Sequence, residues 1–102
     1  MRALKIKPNH ADAHANLGIA YQGMGNLEAS VASLEKAFSL DSTHVDIRTY
    51  LGKAYYSLAE ARRTQADTTG ARASYTAFLT IWQGDAHSAD VVQSRLQMLQ
   101  KP

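Results

Sequence analysis

Two histidines four residues apart, His10 and His14, would share one face of an α-helix, a spacing at which two imidazoles can chelate a divalent metal. Arg62 and Arg63, with Arg72 nearby, could form a small patch for an anion or an acidic partner; a charged, solvated hairpin tip is the simpler account. The acidic residues are dispersed as Asp12, Glu28, Glu35, Asp41, Asp46, Glu60, Asp67, Asp85 and Asp90, and none forms a pair suited to general acid–base work. No Gly-x-Ser-x-Gly elbow, Walker loop, dinucleotide fingerprint or His-Glu-x-x-His motif occurs. The residue chemistry therefore predicts no catalytic site and no cofactor.

The elements that hold these residues must come from a chain of 102 residues, 45% hydrophobic and 20% charged, which is enough for one globular domain. Eleven basic residues against nine acidic ones give a net charge of +2, and the cations are scattered rather than gathered on one face, so a nucleic-acid partner is not expected. No apolar run reaches the roughly 18 residues that span a bilayer, so neither is a membrane. The absence of cysteine removes disulfides and thiolate metal sites. Prolines stand only at Pro8 and Pro102, leaving everything between free to be helical.

Sliding the chain against itself by 34 residues aligns Ala3/Ala37, His10/His44, Asp12/Asp46, Leu17/Leu51, Gly18/Gly52, Ala20/Ala54 and Tyr21/Tyr55 as identical pairs. Leu, a small residue and an aromatic recur on one helical stripe. The repeated Gly, unfavourable by about 1 kcal/mol inside a helix, points to a neighbouring backbone packed close against it. Gly25-Asn26 supplies a helix stop followed by a cap.

On His14, Leu17, Gly18, Tyr21, Ser30, Leu34 and Ala37, and again on Leu51, Gly52 and Tyr55, the chain resembles the tetratricopeptide repeat, a 34-residue helix–turn–helix unit. It departs from that pattern at His14, where Trp is usual, and at Ser42, where Pro is usual. His14 thus falls at an aromatic packing position, and with His10 at a helix start the pair reads as structure, not as a metal site. The resemblance implies an all-α fold, a right-handed superhelix of antiparallel helical hairpins closed by a C-terminal capping helix.

The expected division is a preceding unit's second helix ending in residues 1–8, a full repeat over 10–43, a second, elongated repeat over 44–83, and a capping helix over 85–101. The first segment, with Ala3, Leu4 and Ile6, would come from a longer array. Helices are expected at about 10–23, with Asn9 as cap, and 27–40. The next begins near His44 with Tyr50, Leu51, Ala54, Tyr55, Leu58 and Ala61 as its buried stripe. Seven extra residues, 59–65, lengthen either that helix alone or both helices of the hairpin by about a turn each. Tyr21, Tyr55, Tyr75, Phe78 and Trp82 are expected in the core. In the last helix Asp85 or Ser88 is the cap, Val92, Leu96 and Leu99 form the stripe, and Arg95 faces elsewhere.

First helices of such units line a concave groove that receives an extended peptide or a partner helix. The resemblance places Asp12, Ala15, Asn16, Ile19 and Gln22, then Asp46, Thr49, Lys53 and Tyr56, on that surface. The expected function is non-catalytic protein–protein interaction, with a protein or peptide as partner. The alternatives are a structural cap of a longer array, or a homodimer formed through the groove or the N-terminal end.

Overall fold

The computed structural model describes residues 11–100, and within them the chain forms five α-helices: α1 (Ala11–Gly23), α2 (Leu27–Leu40), α3 (Val45–Thr64), α4 (Thr68–Ile81) and α5 (Ala86–Gln100). No strand occurs among the described residues. The segment expected to end a preceding unit, together with Asn9 and His10, lies outside them.

Two turns of one design join the hairpins. After α1, Gly25 N–H donates to Gln22 O and Asn26 N–H to Tyr21 O; after α3, Ala66 N–H donates to Arg63 O and Asp67 N–H to Arg62 O. In both, the first residue has positive φ, +81° at Gly25 and +64° at Ala66, the left-handed stop that satisfies a helix's last carbonyls. The following residue caps the next helix: Asn26 accepts from Ala29 N–H and Asp67 from Gly70 N–H. Alanine in the left-handed region is strained by about 1 kcal/mol, whereas glycine is not. Ala66→Gly is therefore expected to stabilise the protein by about 0.5–1 kcal/mol, read as a rise in the urea midpoint at unchanged slope.

These turns show where the seven extra residues went. The helix α3 has 20 residues against 13 in α1, while α4 has 14, the same as α2. The insertion lengthens one helix by two turns, and from there the packing is repeated with a new offset. In the first hairpin Gly18 faces Ser30, whose buried hydroxyl donates to Gly18 O at 2.7 Å. A Cβ on Gly18 would lie 2.5 Å from Leu34 Cγ and 3.1 Å from Ser30 O, so the helices meet there as closely as the repeated glycine implied. In the second hairpin the small residues counted from the turn are Ala59 and Ala71, both fully buried. Gly52 instead faces the Trp82 ring, with Cε3 2.5 Å from where a Cβ would stand.

The long α3 joins two apolar clusters. Its first part packs Ile47, Leu51 and Ala54 with Ala15, Val31, Leu34 and Ala37. Its last part packs Ala59 with Ala71, Tyr75, Phe78 and Val92. Burying such side chains contributes about 25 cal/mol per Å² of apolar surface, so α3 belongs energetically to both hairpins. Arg48 ties its start to both neighbours, with the guanidinium over the Phe38 ring and one N–H donated to Ile81 O at the end of α4.

Two side chains expected on buried stripes are exposed. Leu17 is 46% exposed whereas its repeat equivalent Leu51 is 1% exposed; α2 covers α3, and among the described residues no helix covers α1 in the corresponding place. Tyr50 is 38% exposed and lines a cavity with residues of α1.

Three helices converge on Glu60, inside the inserted turns. Its carboxylate accepts from Tyr75 Oη of α4 at 2.6 Å and from Arg63 at 2.9 Å. Arg95 Nε of α5 stands 2.9 Å away, close enough for an ion pair but not aligned for a hydrogen bond. Arg95, expected to face elsewhere, thus docks α5 on the hairpin. Burial opposes ionisation of Glu60, but the Tyr75 hydroxyl and the two arginines outweigh it and hold the carboxyl below its ordinary range. Burial, then the bond to Glu60, pushes Tyr75 up to about 12.

Candidate functional site

The helices α1 and α3 lie side by side, and α5 continues the row, packed on α4 through Val92. Two cavities open along the face they share. One, of about 220 Å³, lies between α1 and α3 and is lined by Asp12, Ala15, Asn16 and Ile19 on one side and His44, Asp46 and Tyr50 on the other. The second, of about 510 Å³, lies between α3 and α5 and takes in Gln22, Lys53, Tyr56 and Ser57, with Phe78 and Trp82 beneath and Asp85, His87, Ser88 and Val91 across from them. Gln22 donates to Ser57 Oγ at 3.4 Å, linking α1 to α3 between the two.

Local structure fixes each wall. His44 caps α3 by accepting from Ile47 N–H at Nδ1, which turns Nε2 toward Asp12 at 3.8 Å. Asp46 and Lys53 are seven residues apart, two turns along the same face of α3. Both are exposed, and neither makes an ion pair among the described residues. In the larger cavity Phe78 and Trp82 stack at 4.7 Å with 21° between ring planes, and Tyr56 lies tilted against Phe78 at 6.1 Å. The indole is held by Nε1–H donated to Asp85 O at 3.1 Å. Asp85 also caps α5, its carboxylate accepting from Ser88 N–H and Ser88 Oγ, and those bonds keep it ionised to lower pH than usual.

Of the nine residues expected on the groove, Asp12, Ala15, Asn16, Ile19 and Asp46 line the smaller cavity and Gln22, Lys53 and Tyr56 the larger. Ala15 is 6% exposed and belongs to the core, so it forms floor rather than a side-chain contact. Thr49 is half-buried and lines neither cavity. Helical spacing missed Phe78, Trp82, His87, Ser88 and Val91. Phe78 and Trp82 read as core alone because their stripe is apolar, and the α5 residues read as part of a cap. Only the gap left between α3 and the first turns of α5 leaves one edge of that aromatic cluster open. The repeated Gly52 was the available signal, since a side chain there would collide with the indole.

Of the two other candidate chemistries, the arginine patch changes under the structure, and the histidine pair includes His10, outside the described residues. Arg62 pairs with Glu28 at 2.7 Å and approaches Asp67 at 3.8 Å, while Arg63 is held by Glu60. The adjacent arginines thus brace the long tip of α3 against its surroundings instead of offering two free cations to an anion. His14 is half-buried, and among the described residues no group of three or more His, Cys, Asp or Glu is placed to hold a metal ion. No helix of the described residues is long and apolar enough to cross a membrane.

Residues 11–44 match the sequence model of one family, the tetratricopeptide repeat. That span runs from the first residue of α1 to the cap of α3. No curated protein matches the chain.

Proposed function

We propose that the chain is a tetratricopeptide repeat protein, on the match of residues 11–44, and that the face shared by α1, α3 and α5 receives a peptide or an extended segment of a partner protein, with binding as its whole activity. The observation that carries this reading is the aromatic-floored cavity of about 510 Å³ between α3 and α5. It is concave and largely apolar at its floor, with a few polar groups at its rim, which is the usual form of a recognition site. Preformed helices present it without a folding step, so binding avoids much of the ordering cost that weakens flexible sites.

The test is selection of random twelve-residue peptides displayed on phage against the 102-residue chain, followed by binding of the enriched peptides to a triple variant, Ile19→Ala, Lys53→Ala and Tyr56→Ala. A loss of at least tenfold in affinity with an unchanged helical circular dichroism spectrum is expected. Enriched peptides that bind the variant as well as the parent would remove the groove from consideration and leave the structural reading, in which the units brace a longer array.

A further inference from the structure

Resting on that reading of the groove, we infer that its occupant is charge-ordered. It is an extended peptide with a cationic residue over Asp12 and Asp46, an acidic residue about three positions away facing Lys53, and beside that, four to five positions from the cation, a bulky apolar side chain on Tyr56, Phe78 and Trp82.

The order follows from which charges remain open. At the α1–α3 end the free group is anionic, since Asp46 is exposed without an ion-pair partner among the described residues and Asp12 has only His44, at 3.8 Å. Two turns along α3 the free group is cationic: Lys53 stands exposed beside the aromatic floor. Asp85, which lines the same cavity, turns its carboxylate onto Ser88 at the start of α5 and forms no ion pair with Lys53. A peptide with the opposite order would set like charges together at both ends.

The spacing follows from helix geometry. Seven residues from Asp46 to Lys53 rise about 10 Å and the ten to Tyr56 about 15 Å. An extended chain advances about 3.3 Å per residue, so the acidic position lies about three residues, and the apolar position about four to five residues, from the cationic one. The apolar member has a defined seat, because Trp82 is fixed by Asp85 O on one side and stacked on Phe78 on the other. It also supplies the readout, since Trp82 is the sole tryptophan of the chain.

The experiment titrates synthetic peptides into the 102-residue chain and follows Trp82 fluorescence. Two peptides carry the inferred charge order in the two chain directions, Gly-Arg-Ala-Ala-Glu-Phe-Gly and Gly-Phe-Glu-Ala-Ala-Arg-Gly. Two others exchange Arg and Glu. One of the first pair is expected to bind about tenfold tighter than its exchanged counterpart, since each rim ion pair is worth a few-fold. The double variant Asp46→Lys, Lys53→Glu, both changes at exposed positions, is expected to reverse the preference. Equal affinities, or a preference that the double variant leaves unchanged, overturn the charge order while leaving a groove that binds peptides. No fluorescence response to any of the four up to millimolar concentration overturns the charge order, and the phage selection then decides separately whether the groove binds peptides at all.

Discussion

Phe78→Ala is expected to lower the unfolding free energy by about 3–4 kcal/mol and to abolish peptide binding in the same variant. The ring is 2% exposed and is packed between Tyr56 and Trp82. Removing it leaves a void that fixed helices cannot collapse, which adds a cavity cost to the lost transfer free energy. For a chain of this length the total stability is about 5–15 kcal/mol, so a folded population survives and both effects are measurable. Urea denaturation gives the stability change and Trp82 fluorescence the change at the cavity, because the indole loses the ring it stacks on. Phe78→Leu separates the two roles. It keeps most of the apolar volume and is expected to cost about 1–1.5 kcal/mol, while the shift in Trp82 emission persists because stacking needs an aromatic ring.

The second large effect is expected at Glu60. Glu60→Ala leaves the fully buried Tyr75 hydroxyl without its acceptor and Arg95 without its ion-pair partner, a loss of about 2 kcal/mol for the unpaired hydroxyl alone. Hydrogen exchange is expected to show α5 opening ahead of the rest, since Arg95 is its link to α3. Replacing Glu60 with Gln is expected to cost less, because the amide oxygen still accepts from Tyr75. The same cluster gives the wild-type protein a pH dependence on both flanks. The Glu60 carboxyl titrates lower when folded than when unfolded, so its contribution is complete above the ordinary carboxylate pKa and is lost as pH falls through the folded value. Tyr75 titrates higher when folded, at about 12 against an ordinary 10, so its contribution is complete below pH 10 and is lost as pH rises toward 12. In Glu60→Ala Tyr75 is expected to ionise at lower pH in the folded protein, which spectrophotometric titration of the tyrosines reads directly.

The two predictions concern one region, the turns that α3 gains over α1. Those turns carry Glu60 and Arg63, and they move the hairpin turn away from Gly52. Without that displacement a small residue of α4 would face Gly52 as Ser30 faces Gly18, and Trp82 would have no place against it. The insertion therefore sets the position of α5 and the gap beside it, and the candidate groove depends on a feature that breaks the 34-residue period.

Much of this was legible in the sequence, because it follows from local chemistry. The helix content, the stop at Gly25 with the cap at Asn26, and the core positions Leu34, Ala37, Leu51 and Ala54 all follow from period, propensity and cap chemistry within a few residues. The 34-residue self-similarity fixed the kind of unit without reference to any contact. The tertiary structure alone decided three things. It put all seven extra residues into α3, since helix formers in the insertion suit either helix of a hairpin equally. It made Arg95 a docking residue, since only the arrival of α5 beside α3 gives a cation at that position an acid to meet. It turned Phe78 and Trp82 from interior residues into the floor of a cavity, because periodicity says which face of a helix is apolar but not whether a neighbour covers all of it.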